Sequence, residues 1–407
     1  MNNWRPGKRV AIIGGGPGGV SAAIALLKRG FDVRVFEKQQ EVKALGGAVL
    51  LSVPVLAILR DYGISLENFG SYTTVEFHNN KGKVRASLPF NPMVEQLFGI
   101  KGWHYGVLRS SAFKKMLDVV PDDIISSGCS FSHYEEKENA VVLHFDNDLT
   151  VEADIVIGAD GINSKVSKQL FGDPELFHIG LRIWLAWCKD EVKGLKPNYG
   201  VISHSNKYQA SYFPMLHDGK PGYEWWIVEP KEEHAPKPEN TKDYLKKILS
   251  NFSGPIKDFI EVTDMEQQIF CWDVYNRPSL NSWSKGRIIC IGDASHPVSP
   301  YAAYGMGMAI EDGYFLSRSL TGKDLSNIED IKAAFADFEG KRVEYVNKNV
   351  EFARKLGKTF HNTPAPLSYL RDFIFDKTPL LNKMINKDYL GEQEAMCLSM
   401  SELHINK

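Results

Sequence analysis

An α/β fold, in which a parallel-sheet domain is interrupted by an inserted antiparallel sheet, is predicted by three features of the sequence. A strand, a glycine-rich turn and a helix open the chain; a hairpin signal breaks the strand–helix rhythm near residue 74; aromatic-rich strands fill residues 171 to about 275. At 407 residues there is room for two domains, or for one large body with an inserted module. With 43% hydrophobic and 24% charged residues the composition is that of a soluble globular protein. A net charge of -2 offers no basic excess for nucleic acid. The five cysteines are scattered without a C-x-x-C pair, which suits a reducing compartment and neither a disulfide framework nor a zinc site.

Lys8 to Ile13 is rich in β-branched residues and runs straight into Gly14-Gly15-Gly16-Pro17-Gly18-Gly19, then into the apolar stretch Val20 to Leu27. Gly14, Gly16 and Gly19 take the fixed positions of G-x-G-x-x-G: they permit the turn, let backbone approach a pyrophosphate, and let helix pack on strand. Pro17 and Gly18 lead into a helix N-terminus, where free N–H groups and the dipole favour a phosphate. Gly30 ends that helix, Val33 to Phe36 forms a second strand, and Glu37 follows Gly19 by eighteen residues, with Lys38 beside it. A carboxylate there accepts both hydroxyl hydrogen bonds of an adenosine ribose, so the unit reads as a Rossmann-like dinucleotide site. Residues 10 to 27 are almost charge-free, yet the glycines and proline at the turn make a membrane span the poorer reading. The N-terminus shows no apolar signal core, and a cytoplasmic protein is expected.

Gly46-Gly47 is either a plain loop or a passage close over a flat ring, and a helix follows with Val55, Leu56, Leu59 and Tyr62 on one face. Residues 72 to 90 alternate around Asn79-Asn80-Lys81-Gly82, a hairpin signal. Arg109 opens the helix Ser110 to Val119; arginine in that place is a solvated or capping residue, or a pyrophosphate ligand. Three antiparallel strands follow between Phe131 and Val156, and the buried run Ile155-Val156-Ile157 ends in Gly158-Ala159-Asp160-Gly161. Trp184, Trp187, Trp225 and Trp226 fall within 43 residues, which favours a sheet roofing a pocket for a flat apolar substrate over one that packs only on itself. Further on, Gly286 to Ile291 is a strand ending in Gly292-Asp293, and Pro300 to Asp312 opens another helix. The tail from Pro364 to Ile385 is amphipathic, with Leu367, Leu370 and Ile374 on one side expected to pack on the parent body.

These three anchors, in this order, resemble the single-component FAD-dependent monooxygenases of the para-hydroxybenzoate hydroxylase type over roughly residues 8 to 356. The resemblance implies a discontinuous FAD-binding domain from residues 1–73, 101–172 and 276–356, a substrate-binding β-sheet domain from 74–100 and 173–275, and a C-terminal helical segment, 357–407. It implies that Gly14, Gly16 and Gly19 hold the FAD pyrophosphate, with Pro17 and Gly18 in the same turn. Glu37 and Lys38 would lie at the adenosine ribose, and Gly47 beside the flavin. Arg109 would reach the phosphates or ribityl chain, Asp160 would serve both FAD and the nicotinamide cofactor, and Asp293, after Gly292, would bond a ribityl hydroxyl. The backbone from Gly305 through Met306 and Gly307 to Met308 would face the pyrimidine edge, and Pro300 would lie beside the carbon that carries oxygen. Tyr304 and Gly307 stand where relatives often have Gln and Asn, and Ser167 stands where they often have Arg.

The implied chemistry is reduction of FAD by NADPH or NADH, capture of O2 as a flavin hydroperoxide, and transfer of one oxygen to an aromatic or polycyclic small molecule, by hydroxylation, epoxidation or Baeyer–Villiger insertion. No second G-x-G-x-x-G is present, so the reductant binds transiently on the FAD face. Tyr212, Tyr301, His204 and His296 are candidates for a base. Tyr212 and Trp226 lie on strands expected to face the pocket, and with Pro300 they form the candidate catalytic set. A flavin-dependent halogenase, an FAD-dependent reductase or dehydrogenase, and a non-catalytic flavin-binding regulator are the alternatives. The halogenase motif would need separated tryptophans, and here Trp225 and Trp226 are adjacent. Neither a metal-binding H-E-x-x-H, nor a G-x-S-x-G elbow, nor a P-loop occurs. A monomer or homodimer is expected.

Overall fold

The computed structural model describes residues 4–43, 46–88, 92–173, 175–189, 192–299 and 304–402. Among them the strands form three sheets. One is the parallel sheet that the first motif demands, ordered Ser284–Lys285, Ile288–Cys290, Ile155–Gly158, Arg9–Ile13, Asp32–Phe36, Ile125–Ser126, with only the first of these antiparallel to its neighbour. Its inner strands are buried on both faces, and they are correspondingly runs of Val, Ile and Ala.

The register of this sheet sets the position of everything else. Ile13 lies opposite Phe36 on one side and Gly158 on the other, and Gly158 lies opposite Cys290. The next residues of four strands, Gly14, Glu37, Ala159 and Ile291, therefore leave the sheet along one carboxyl edge. Motifs separated by well over a hundred residues meet there because parallel pairing aligns their ends. The turn after the first strand needs glycine: Gly14 has φ +105°, and a Cβ on it would lie 2.3 Å from the Ala159 carbonyl oxygen.

A second sheet, of three antiparallel strands (Phe131–Glu136, Val141–Phe145, Thr150–Ala153), buries Val141, Leu143 and Phe145 against the parallel one. The third and largest sheet runs Ile269–Asn276, Phe177–Cys188, Lys220–Pro230, Gln209–His217, Tyr199–His204, Ser71–Asn79, His104–Leu108, Ala48–Ser52, with Val84–Ser87 beside Ser71–Asn79. It is not purely antiparallel as expected, since Tyr199–His204 pairs in parallel with Ser71–Asn79. The reason is topological: the two halves of the sheet come from separate stretches of chain, and no hairpin dictates how they meet. Nor does the sheet follow the boundaries at residues 73/74 and 100/101, because Ala48–Ser52 and His104–Leu108 hydrogen-bond to each other and extend it.

The outer face of the large sheet is covered by Thr241–Leu249, a helix capped by Asn240 Oδ1 accepting from the Asp243 N–H (3.0 Å) and burying Leu245, Ile248 and Leu249. Its other face turns towards the parallel domain. Helix Ile328–His361 runs unbroken through the expected boundary at 356/357, carrying one apolar face, Ile331, Phe335, Phe338, Val346, Val350, Ala353, Leu356, Phe360, across it. The tail corrects another expectation. On helix Ala365–Lys377 the residues turned inward are Ser368, Arg371 and Phe375, whereas Leu367 and Leu370 are 57% and 54% exposed. Arg371 wins the buried place because its guanidinium satisfies the carbonyls of Thr359 (2.6 Å) and Phe360 (3.0 Å) at the end of the preceding helix.

Candidate active site

The carboxyl edge of the parallel sheet and the inner face of the large sheet enclose a cleft of about 1050 Å³, at the upper end of the range for small-molecule sites. Gly14, Gly16, Pro17, Gly18, Glu37 and Lys38 line it from the first motif; Gly47, Arg109 and Asp160 from the middle of the chain; Gly292, Asp293, Gly305 and Met306 from the last. Three sequence-predicted residues do not reach its wall. Gly19 is interior to the turn, where a Cβ would lie 2.0 Å from the Gly14 carbonyl oxygen; a Cβ on Gly307 would meet the Tyr304 ring at 3.0 Å; and Met308 is fully buried in the core. Gly307 and Met308 belong to the first turn of helix Gly305–Ser319, behind Gly305 and Met306. Pro300 and Tyr301 lie outside the described residues.

Glu37 uses its carboxylate to shape the turn: Oε2 accepts from the Gly15 N–H (2.7 Å) and Oε1 from the Gln39 N–H (2.8 Å). Lone pairs remain on both oxygens for a ribose. Asp160 accepts from Ser164 Oγ (2.5 Å) and the Lys165 N–H (2.8 Å), and so organises the start of helix Lys165–Phe171 as well as the cleft wall. Burial raises its pKa above the ordinary carboxylate value against those hydrogen bonds. Arg109 is half-buried, with a buried and unpartnered Nε; burial lowers its pKa, and Asp293 opposes that. An unpartnered guanidinium edge and a nearby carboxylate on a cleft wall suit a polar, hydroxylated or phosphorylated ligand. Sequence reasoning missed Arg277, 110 residues beyond Ser167, whose Nη1 donates to Ser167 Oγ (3.4 Å) and whose Nη2 donates to the Ala294 carbonyl. A guanidinium thus reaches the Ser167 hydroxyl from a distant strand end, outside the cleft lining.

Behind the last motif lies a buried ionic network. Asp312 Oδ2 accepts from the Gly292 N–H (2.9 Å) and contacts His296 Nε2 (2.5 Å), while its Oδ1 accepts from Arg342 Nε (2.9 Å). Arg342 Nη1 also lies 2.9 Å from Glu311 Oε2, and Tyr304 donates its hydroxyl to Glu311 while accepting from Ser52 Oγ (2.9 Å). Burial pushes Asp312 upward, but His296 and Arg342 hold it below its ordinary value; for Glu311 burial outweighs Arg342, and its pKa is raised. His296 is thereby a structural partner of Asp312. Tyr304 is the hydroxyl that closes the network over the strand Ala48–Ser52.

The roof of the cleft is set by strand alternation. Ser211 lies opposite Trp226 and Phe213 opposite Glu224, and Phe213, Trp226 and Glu224 all line the cleft. Tyr212 does not, correcting the expectation for it: it pairs with Trp225, and its ring packs on Phe259 (5.2 Å) in the core beneath the covering helices. Tyr212→Phe is therefore expected to change steady-state turnover by less than about twofold, whereas a base would cost about 100-fold or more; initial-rate assays decide it.

Glu224, also unforeseen, is fully buried, with Oε2 accepting from the Ala48 N–H (2.7 Å) and Oε1 unpartnered. A Cβ on Gly47 would lie 2.4 Å from both carboxylate oxygens, so that glycine is needed for the strand to pass the acid. The available signal was an acid amid an aromatic strand, Tyr223-Glu224-Trp225-Trp226. Burial raises its pKa well above 4.5. Ionisation in the fold thus costs stability that is intact below the unfolded value and is lost progressively as pH climbs toward the folded pKa. Glu224→Gln keeps the acceptor for Ala48 and removes the titration. Its melting temperature, in flavin-free protein, is expected to match the wild type at about pH 4 and to exceed it increasingly toward about pH 8.

Outside the cleft, His133, Glu135 and His144 place potential ligand atoms within 4.8 Å of one another on the three-stranded sheet. They sit on paired strands, which explains why no linear motif announces them.

The family model described as "FAD binding domain" matches residues 8–323. The 6-hydroxynicotinate 3-monooxygenase of Pseudomonas fluorescens is 31% identical over 353 residues, covering 84% of this chain and 89% of that protein. The 3-amino-4-hydroxybenzoate 2-monooxygenase PtmB3 of Streptomyces platensis is 27% identical over 385 residues, covering 91% and 93%. Among solved structures, Klebsiella pneumoniae HpxO complexed with FAD and uric acid matches with a TM-score of 0.82 at 21% identity, over 97% of this chain and 98% of that one; this is a likeness of fold.

Proposed function

That this chain belongs to the FAD binding domain family, and is an FAD-dependent monooxygenase, is the premise from which we propose its reaction: hydroxylation of an aromatic small molecule in the cleft. The balance is ArH + NAD(P)H + H⁺ + O2 → ArOH + NAD(P)⁺ + H2O. FAD, when bound, supplies the two-electron reduction and the delivery of one oxygen atom to carbon. The protein binds, orients and excludes water.

Gly14, Gly16, Pro17 and Gly18 cradle the pyrophosphate, with Gly19 behind them, and Glu37 and Lys38 take the adenosine ribose. What supports this is that all four line the cleft and that nothing stands within 4 Å of where a Gly16 Cβ would be. Gly47 lets the chain pass close over a flat ring, and Arg109, Asp160 and Asp293 flank the chain that joins ring to phosphates. Helix Gly305–Ser319 points its N-terminus into the cleft at Gly305 and Met306, with Gly307 and Met308 in the same turn. Its dipole stabilises negative charge there by about 0.3–1 kcal/mol. Trp226 contacts the substrate from the roof, and the role of Pro300 beside the flavin is supported by the resemblance alone. The parallel sheet with its motif loops serves the cofactor and the large sheet serves the substrate. Five cysteines free of disulfides support a reducing, cytoplasmic setting, and one chain lines the whole cleft, so monomer and homodimer are equally competent.

The observation that carries the reading is the register Ile13–Phe36, Ile13–Gly158, Gly158–Cys290, which delivers all three motifs to one edge. The test is NAD(P)H consumption by the FAD-loaded protein with a panel of aromatic compounds. Consumption that rises with substrate and matches oxygenated product one for one is expected. Substrate-independent consumption without oxygenated product sinks it.

A further inference from the structure

We propose, resting on the reading above, that the substrate is a single aromatic ring bearing no formal charge, bound in a small pocket at the inner end of the cleft. The chain would thereby discriminate against ring carboxylates of the kind named for its relatives. The pocket has a volume of about 90 Å³ and shares Leu50, Ile183, Trp226, Val274 and Ser299 with the cleft, so it opens towards the cofactor's side. Its far wall comes from the long helix and the tail, through Phe352, Leu356, Phe360 and Ile385. A dry apolar cavity on the order of 150 Å³ takes up benzene. A pocket of this size together with its mouth is on the scale of one ring, and a fused polycycle exceeds it.

Charge decides the second half of the proposal. Among the described residues lining the pocket there is no Lys, Arg, Asp or Glu; its polar groups are those of His104, His204, Gln209, Asn349 and Ser299. Both histidines are neutral at physiological pH: burial lowers His104 to about 4, and burial, reinforced by His361, Arg85 and Arg371, holds His204 well below its ordinary value. His204 is stacked against Phe360 (3.7 Å between ring centroids), which fixes it in the wall. The cations that act on His204, Arg85 and Arg371, are paired with Asp376 and Asp372: Arg85 Nε lies 2.7 Å from Asp376 Oδ1, and Arg371 Nη2 lies 2.8 Å from Asp372 Oδ1. Two carboxylates offset the two cations, and neither arginine is part of the pocket lining. A ring carboxylate entering here would shed its water and meet no counter-ion. A neutral hydroxyl, amine or ring nitrogen gives up far less hydration than a carboxylate on entering such a wall. The electron-rich rings that accept oxygen most readily, those of phenols, anilines and hydroxypyridines, fall within that class.

The test uses FAD-loaded enzyme and matched pairs: phenol with 4-hydroxybenzoate, aniline with 4-aminobenzoate, 2-hydroxypyridine with 6-hydroxynicotinate. Dissociation constants are read from the flavin difference spectrum, and turnover from NAD(P)H oxidation coupled to product. The neutral member is expected to bind at least about tenfold more tightly in each pair. Val228→Lys, which puts a cation on the pocket wall, is expected to narrow or reverse the preference while keeping the bound-flavin spectrum. Equal or tighter binding of the carboxylates by the wild type overturns the proposal, as does a panel in which no member perturbs the spectrum. In both cases flavin that is bound and reduced by NAD(P)H leaves the monooxygenase reading standing. Protein that takes up no FAD overturns both.

Discussion

Gly16→Val is expected to leave the flavin-free fold intact and to lower FAD affinity by about 100-fold or more, about 2.7 kcal/mol. The backbone at Gly16 is extended, with φ -77° and ψ -179°, so a β-branched residue adopts it without strain. The direction of its Cβ is empty, with no protein atom within 4 Å. That emptiness is in the cleft, over the first free N–H groups of the helix, where a pyrophosphate has to approach backbone closely. Two methyl groups there remove no protein contact and fill the ligand's place. Gly14→Ala makes the contrast: its Cβ would lie 2.3 Å from a backbone oxygen at φ +105°, so that variant loses fold and flavin together. Melting temperature without flavin, and flavin affinity by fluorescence quenching, separate the two outcomes. A Gly16→Val protein that purifies with its normal complement of flavin removes the first motif from the cofactor site.

The first motif was legible because its logic is local. A strand, a turn that admits only glycine, and a helix N-terminus occupy a dozen consecutive residues, and each constrains the next. The convergence of Asp160 and Asp293 on the same edge was legible for a related reason: each follows a short buried apolar strand, and parallel pairing leaves little freedom in how such strands align. What escaped depends on parity or on distance. Tyr212 and Phe213 are both aromatic on a strand buried on both faces, so nothing in the alternation said which of them faces the cleft; a one-residue shift exchanges them. Ser167 stands where relatives often have Arg, and only the fold shows that its hydroxyl accepts from Arg277, at the end of a strand in another sheet. The tail helix carried a legible apolar stripe, but the carbonyls waiting at the end of the long helix drew Arg371 inward and turned Leu367 and Leu370 out. Glu224 stood in plain view, and only the fold shows that its partner is the Ala48 N–H on a strand 176 residues away.

The largest loss of stability is expected from Arg342→Met. Arg342, Glu311 and Asp312 are all fully buried, and among the described residues the guanidinium is the cation that bridges the two carboxylates. Burial opposes its charge, but the two acids more than offset that and raise its pKa. Methionine fills the aliphatic volume and leaves Glu311 and Asp312 facing each other without it, at a cost of about 3–5 kcal/mol. The sign with pH distinguishes a charge effect from a packing effect. In the wild type Asp312 is held below its unfolded pKa, so its contribution is present above that value and is lost as pH falls through the folded one. In the variant both acids rise, and protonating them relieves the repulsion, so the deficit is expected to be greatest near neutrality and to shrink as pH approaches about 4. A packing defect would persist unchanged across that range. Adding Glu311→Gln and Asp312→Asn to Arg342→Met is expected to recover most of the loss, because the amide oxygens still accept from Tyr304 and from the Gly292 N–H while no buried charge remains. Urea unfolding of the single and triple variants across pH measures this. Because the Gly292 N–H is tied to Asp312, weaker flavin binding should accompany the single variant and not the triple; an Arg342→Met protein as stable as the wild type would show that the network does not hold the Gly292–Asp293 loop in place.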